Sequence, residues 1–234
     1  TTKFTVPILY DLVENVIVNN ESSEILRMLY DRDLLGQFAT KNHALNLYPK
    51  EKSIEIETCN DFIYPSINNG VYKCGFAHSQ AAYEAAAVSL KEGLQRVETI
   101  LSASNFLCGD VLTEGLFNTY FFSVLHVLWC VWLFFSVLLF LVSLFFFPAD
   151  IRLFVTLIRH DEVYVVYFKC NHVPIVGGTL FPNIVRYMKL MMSFPDIRNA
   201  VNMDHIKKHY YTSHPSLNPY GVVPIGPDVL QSLL

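Results

Sequence analysis

The sequence has few of the features that mark disulfide-bonded, metal-binding or nucleic-acid-binding proteins. Its five cysteines, an odd number, include no Cys-x-x-Cys pair, which argues against a disulfide framework or a zinc knuckle. The formal net charge is −4 and the basic residues are scattered, so the chain lacks the positive patch that nucleic acid requires. We therefore expect reduced thiols, a location in the cytoplasm or a plastid, and no nucleic-acid partner.

One segment is long, apolar and without carboxylate, lysine or arginine side chains. Leu116 to Phe147 contains no Asp, Glu, Lys or Arg across 32 positions, whereas a helix needs about 20 apolar residues to span a bilayer. Outside this segment the composition is that of a globular protein of one or two domains. Length alone therefore permits a membrane anchor here.

The first residues predict two strands followed by a helix. Phe4 to Tyr10 and Val16 to Val18 are rich in β-branched and aromatic residues, and Asp11 to Asn15 between them is typical of a hairpin turn. Asn19 to Glu24 supplies small polar caps and acidic residues, which favour a helix N-terminus. Gly36 to Ser53 is polar and irregular, which is typical of a linker.

The rest of the chain predicts a helical domain, because apolar residues recur at intervals of three and four. Four stretches have this spacing: Ile54 to Ala77, Ser79 to Ser102, Ile151 to Phe168 and Pro182 to Met192. In the third stretch, Phe154, Val155 and Ile158 are expected to face the core. The prolines of His214 to Pro227 predict ordered coil there.

Several long motifs follow one another in a fixed order. They are VPILYD and VNNESSEI near the start, then INNGVYKCGFA (67–77), LIRHDEVYVVYFKCN (157–171), HIKKHYYTSHPSLNP (205–219) and GVVPIGP (221–227). Together they resemble the xi class of glutathione transferases, the glutathionyl-hydroquinone reductases, over nearly the whole chain except 115–148.

The resemblance implies an α/β plus all-α fold and a homodimer. Residues 1–35 are expected to be the remnant of a thioredoxin-like N-terminal domain, and 36–53 the linker. Residues 54–234 are expected to form the helical glutathione-transferase C-terminal domain, interrupted by the apolar insertion 115–148.

The resemblance also implies a glutathione site in the first domain, with glutathione as co-substrate. Pro7 is expected to be cis and to hold Val6 so that its backbone pairs with the cysteinyl part of glutathione. Glu21 and Ser22 lie where a helix N-terminus favours the γ-glutamyl carboxylate, and Glu21 can accept the ammonium group. A proline in a β turn and an ordinary acidic cap explain the same residues without a ligand.

A quinone pocket is implied as well, lined by Tyr72 and by one of Tyr210 and Tyr211. A phenol can hydrogen-bond a quinone oxygen while its ring packs on the ligand. The alternative is that all three are half-buried core tyrosines. His205 and His209 are four apart on an expected helix, but no carboxylate or cysteine completes a metal site, and the family needs no metal.

The reductase reaction requires a nucleophilic cysteine, which in the family stands before a proline. Its thiolate attacks the sulfur of a glutathionyl-hydroquinone and releases hydroquinone, and glutathione resolves the mixed disulfide. None of the five cysteines here precedes proline. Cys59, Cys74 and Cys170 are expected in helices as buried, inert thiols. Since the sequence begins at Thr1 inside a strand-like run, we expect an inactive piece of a longer enzyme.

The apolar segment interrupts a family motif. In the family LTE runs directly into ADIRLF, which places the equivalents of Thr113 and Asp150 three apart in a helix capping box. Here Gly115 to Pro148 separate them. The two ends of this segment fit those of an unspliced intron. Gly115 can be encoded by GGT and Pro148 by CCA, and a following G completes the codon of Ala149. We therefore expect a retained intron, and a membrane partner only if 116–147 belongs to the mature protein.

Three functions stay open at this point. The first is glutathione-dependent reduction of glutathionyl-hydroquinones by the parent protein. The second is a general or omega-like glutathione transferase. The third is a membrane-anchored, non-catalytic protein that binds glutathione. An upstream Cys-Pro and a spliced transcript would separate them.

Overall fold

The computed structural model describes residues 7–21, 24, 25, 28, 48–109 and 148–234. The chain divides into two compact units, and the described residues up to Ser53 belong to the first unit and those from Ile54 onward to the second. The expected domain limits at 35 and 53 stay predictions, because residues 29–47 lie outside the described part. The apolar segment 116–147 lies outside it too.

A β-hairpin forms the start of the first unit, as the sequence predicts. Strand β1 (Leu9–Asp11) pairs in antiparallel register with strand β2 (Val16–Asn19). The turn is held by the Asp11 carboxylate, whose Oδ1 accepts the backbone N–H groups of Val13 at 2.7 Å and Glu14 at 3.0 Å. An Asp at this position therefore replaces backbone hydrogen bonds that a tight turn leaves unmade.

A helical turn follows the hairpin where the capping residues predicted it. Glu24, Ile25 and Met28 are helical, and the carbonyl oxygen of Glu21 accepts the Ile25 N–H at 2.9 Å. The N–H of Glu21 donates to the Asn19 side chain at 2.8 Å. Asn19 thus satisfies a donor that the helix itself cannot use.

Helices build the described part of the second unit. After a 3₁₀ turn at Lys50–Lys52, the α-helices are α1 (Ser53–Ile63), α2 (Gly70–Gly75), α3 (Gln80–Ala103), α4 (Pro148–Arg159), α5 (Val165–Tyr167), α6 (Pro182–Ser193), α7 (Pro195–Ala200), α8 (Met203–Ser213) and α9 (Val229–Leu233). Among the described helices, none combines the length and the apolar character needed to cross a membrane.

Two π-helices correct the prediction of continuous helices over 54–77 and 151–168. The first π-helix (Tyr64–Asn68) links α1 to α2, and the second (His160–Tyr164) links α4 to α5. Pro65 has no N–H to donate in the α-helical pattern, which favours a break in the first case. All five residues of the second π-helix are buried, which shows that this turn is packed on every side.

The core lies on one face of the long helix α3, as its periodicity predicts. Its buried residues include Ala86, Leu90, Leu94, Val97 and Leu101. Helices α2 and α6 pack against α3. The apolar spacing of this helix therefore identifies its buried face correctly.

In helix α4 the structure corrects the prediction that Val155 is buried, and it shows that Asp150 lies in the interior. Phe154 and Ile158 are buried, but Val155 is 38% exposed, because it lies on the face opposite Leu153 and Leu157. Asp150 is fully buried, and its Oδ1 accepts the N–H of Leu107 at 3.0 Å. Its expected capping partner, Thr113, lies outside the described residues.

The segment between α8 and α9 is irregular, which confirms the prediction of coil over His214 to Pro227. Asn218 orders it, because its amide Nδ2 donates to the carbonyl oxygens of Tyr211 and Val222, each at 2.8 Å. The prolines of this segment remove N–H groups that a helix would need.

Candidate functional site

Three tyrosine hydroxyls meet in the second unit and form a chain of hydrogen bonds. Tyr72 comes from α2, Tyr164 from the end of the second π-helix, and Tyr210 from α8. The hydroxyl oxygens of Tyr72 and Tyr210 lie 2.6 Å apart, and those of Tyr164 and Tyr210 lie 2.9 Å apart. We call these three residues the tyrosine cluster.

The tyrosine cluster runs from the interior of the unit to its surface. Tyr164 is 1% exposed, Tyr210 is 7% exposed and Tyr72 is 36% exposed. The Phe168 ring stacks on Tyr164 with centroids 5.5 Å apart, and it also lies 5.3 Å from the ring of Tyr72. Because the rings pack against one another, the partly exposed Tyr72 has a defined position at the surface end of the cluster.

The buried phenols of the cluster stay neutral at physiological pH. Burial raises the pKa of Tyr210 to about 12 and the pKa of Tyr164 well above its ordinary value. The nearby Arg159 guanidinium opposes this rise at both phenols. Both side chains therefore keep a proton that they can donate in a hydrogen bond.

The second π-helix is fixed by the buried Asp161. Its Oδ1 accepts the N–H of Ile175 at 2.9 Å, and its Oδ2 accepts the N–H of Gly177 at 2.8 Å. The ring Nδ1 of His160 lies 3.2 Å from the same Oδ1. Burial acts to raise the pKa of Asp161, but these three contacts outweigh it and hold the pKa below its usual value. A charged anchor thus sets the position of Tyr164, three residues further along.

Glu162 ties the same π-helix to α8 and α9. Its Oε1 accepts the N–H of Val229 at 3.0 Å, and its Oε2 forms an ion pair with Lys207 at 3.1 Å. Its carbonyl oxygen accepts the hydroxyl of Tyr211 at 3.1 Å. These contacts hold α8, and therefore Tyr210, against the π-helix that carries Tyr164.

The structure brings together two of the three tyrosines that the sequence assigned to a quinone pocket. Tyr72 and Tyr210 share a hydrogen bond, whereas the buried Tyr211 directs its hydroxyl to Glu162. The sequence interpretation did not assign a role to Tyr164. The one feature of the sequence that could have pointed to Tyr164 is its place in the motif LIRHDEVYVVYFKCN. The apolar spacing could not show where Tyr164 points, because a π-helix does not follow the 3.6-residue period of an α-helix.

The residues predicted to bind glutathione belong to the first unit. Pro7 and Glu21 are both exposed there. Val6 and Ser22 lie outside the described residues, so the expected cis bond between Val6 and Pro7 lies outside them as well. The assignment of these four residues stays a prediction.

Comparisons with curated proteins and with solved structures agree on the kind of protein that the chain resembles. The chain is 37% identical over 226 residues to the glutathionyl-hydroquinone reductase YqjG of Escherichia coli K12, covering 96% of the chain and 56% of that protein. The xi glutathione transferase of Phanerochaete chrysosporium matches with a TM-score of 0.76 and 40% identity, over 97% of this chain and 64% of that one. No family model matches the chain.

The xi glutathione transferase ECM4 of Saccharomyces cerevisiae, solved in complex with glutathione, matches with a TM-score of 0.77 and 35% identity. The match covers 97% of this chain and 62% of that one. Over nearly its whole length the chain is similar to glutathionyl-hydroquinone reductases and to xi-class glutathione transferases. These structural neighbours confirm the expected fold class, a partial thioredoxin-like domain followed by a helical domain. The chain spans about three fifths of the length of the relatives it matches.

The cysteines of this chain are buried wherever the structure describes them. Cys59 and Cys74 lie in α1 and α2, but Cys170 follows α5 in a coil, which corrects its expected helical position. Cys59 contacts Cys108, and Cys74 contacts Cys170; the contact with the partner thiol and then burial raise the pKa of Cys108 and Cys170. Buried thiols of this kind lack the exposure that an attacking thiolate needs.

Proposed function

We propose that a full-length protein carrying this chain reduces glutathionyl-hydroquinones, with glutathione as the second thiol. A cysteine thiolate attacks the sulfur of the substrate, and the carbon–sulfur bond breaks. The electron pair passes to the quinol ring, which takes up a proton and leaves as hydroquinone. Glutathione then attacks the mixed disulfide and frees the enzyme thiolate, so that one glutathione thiol and the glutathionyl sulfur of the substrate leave together as glutathione disulfide for each hydroquinone released.

The tyrosine cluster is the observation that supports this proposal. When the carbon–sulfur bond breaks, a ring oxygen of the quinol shares the developing charge. The hydroxyl of Tyr72, a residue that is 36% exposed, can donate to that oxygen, and the hydroxyl of Tyr210 lies 2.6 Å from it. Among the three predicted tyrosines, we therefore assign the substrate contact to Tyr72, the support of its hydroxyl to Tyr210, and an anchoring role to Tyr211.

The glutathione site is proposed in the first unit, at Val6, Pro7, Glu21 and Ser22. The helical turn at Glu21 supports this assignment, since its carbonyl oxygen accepts the N–H of Ile25 and its side chain is exposed. A helix N-terminus offers free N–H groups and a favourable dipole to a carboxylate. The division into domains at 35 and 53 and assembly as a homodimer are part of the same proposal.

The test compares three variants of the full-length protein: Tyr72→Phe, Tyr210→Phe and the control Tyr187→Phe. Tyr187 is fully buried and donates to the carbonyl oxygen of Asp150 at 2.8 Å, so its variant also loses one buried hydrogen bond. We expect the first two variants to lower kcat/KM for a glutathionyl-hydroquinone by about tenfold, which corresponds to one net hydrogen bond.

The control should lower the melting temperature without a matching loss of kcat/KM. If Tyr72→Phe and Tyr210→Phe both keep the wild-type rate, the tyrosine cluster is part of the core and the substrate site lies elsewhere.

A further inference from the structure

The direction of the hydrogen bonds in the tyrosine cluster follows from counting protons. Three hydroxyls carry three protons, and the two hydrogen bonds between them use two. The third proton lies on Tyr164 if Tyr72 donates to Tyr210 and Tyr210 to Tyr164, and on Tyr72 if both bonds run the other way. It lies on Tyr210 if both end hydroxyls donate to that residue.

Burial decides among these arrangements. Tyr164 is 1% exposed, and among the described residues its hydroxyl has Tyr210 as its one hydrogen-bond partner. If Tyr72 donated to Tyr210 and Tyr210 to Tyr164, the third proton would sit on Tyr164 without an acceptor. If both ends donated to Tyr210, the third proton would sit on Tyr210, which is 7% exposed and has no further hydroxyl partner among the described residues. An unsatisfied buried donor is unfavourable. In the opposite direction the third proton sits on Tyr72, where solvent or a ligand can accept it.

We propose that Tyr164 is a positioning residue: by donating to Tyr210, which donates to Tyr72, it commits the Tyr72 hydroxyl to act as the donor to a substrate oxygen. This inference rests on the proposed function, since it assigns the substrate contact to Tyr72. It goes further because Tyr164 is buried behind the cluster and acts only through the other two hydroxyls. Without the Tyr164 hydroxyl, Tyr72 can donate inward to Tyr210 and lose its donor role toward the ligand.

A double-mutant cycle in the full-length protein tests the inference. The variants are Tyr164→Phe, Tyr72→Phe and the double variant, with Tyr187→Phe as the control for a lost buried hydroxyl. We expect Tyr164→Phe to lower kcat about fivefold while KM changes less than twofold. In the Tyr72→Phe background, the same change should leave kcat unaltered, because the donor it orients is gone.

A merely structural role gives a different pattern. In that case Tyr164→Phe lowers kcat by the same factor with or without the Tyr72 hydroxyl, or it matches Tyr187→Phe; either result overturns the inference and leaves the proposed function standing. An unchanged kcat in Tyr72→Phe itself rejects the proposed substrate site instead. Circular dichroism verifies the fold of each variant, and Tyr164→Met, which also lacks a hydroxyl and fills space flexibly, replaces the Phe variant if that one is unfolded.

Discussion

The hydroxyl groups of Tyr210 and Tyr211, neighbours on α8, have separate partners. Tyr210 lies 2.6 Å from the Tyr72 hydroxyl, whereas Tyr211 donates to the Glu162 carbonyl oxygen at 3.1 Å. Successive residues of a helix point about 100° apart, so one can support the cluster while the other anchors the helix. The sequence motif HYY leaves open which of the two faces a substrate.

Tyr211→Phe is expected to reduce stability rather than turnover. The variant removes one buried hydrogen bond and leaves the Glu162 carbonyl oxygen short of a partner, which costs about 1–3 kcal/mol in free energy of unfolding. Urea unfolding measures the loss, and kcat/KM for a glutathionyl-hydroquinone should stay within twofold of wild type. A loss of kcat/KM as large as that of Tyr210→Phe would return Tyr211 to the substrate site.

Asp161→Asn is expected to destabilise the protein in a pH-dependent way. The pKa of Asp161 is lower in the folded chain than in the unfolded one, so its stabilising effect is fully present above about pH 4 and is lost as the pH falls through the folded-state value. Near pH 7 the variant should lose about 1.5–3 kcal/mol, since an amide nitrogen cannot accept the N–H that Oδ1 or Oδ2 accepts. Urea midpoints of both proteins at several pH values should converge below pH 4; a constant difference contradicts the prediction.

Glu21→Ala in the full-length protein is expected to weaken glutathione binding by about 1.5–3 kcal/mol, the cost of a charge-assisted contact. Glu14→Ala is the matched control, because Glu14 is an exposed acid in the adjacent hairpin turn and loses the same charge. Calorimetry measures both dissociation constants. Equal affinities for the two variants would remove Glu21 from the proposed site.

A polypeptide of these 234 residues is expected to show no turnover of a glutathionyl-hydroquinone. None of its cysteines precedes proline, and the four that the structure describes are buried. A nucleophilic thiol needs exposure and a lowered pKa. Release of hydroquinone, followed by chromatography, at a rate above that of glutathione alone would show that one of the five thiols is reactive.

Deletion of Gly115 to Pro148 is expected to give a more soluble protein. The segment has more than thirty successive positions without Asp, Glu, Lys or Arg, and we expect an apolar stretch of this length to cause aggregation or to enter a membrane. The deletion also returns Thr113 to capping distance of Asp150, and a helix cap contributes about 1 kcal/mol. Expression of both forms without detergent provides the comparison. Stable insertion of the intact chain into membranes as a folded protein, or the segment in the dominant mature transcript, would contradict the retained-intron interpretation.

Local sequence was sufficient for much of the fold. The hairpin follows from two β-rich runs around the polar turn at Asp11, and the buried face of α3 follows from its apolar spacing. The two π-helices escaped prediction because they break the 3.6-residue period on which helix patterns depend. The prediction that Val155 faces the core was wrong because Val155 lies on the face of α4 opposite the buried Leu153 and Leu157.

By itself the sequence determined which class of protein the chain resembles, because its long motifs follow one another in a fixed order. It also pointed to Tyr72 and left Tyr210 and Tyr211 as alternatives. Only the tertiary structure decided that these tyrosines, 138 residues apart, share a hydrogen bond and that Tyr164 completes the chain. That meeting depends on how α2, α8 and the second π-helix pack, and the packing depends on the buried carboxylates of Asp161 and Glu162. Residue patterns report which face of a helix is apolar; they do not report which hydroxyls the packed helices bring within hydrogen-bond distance.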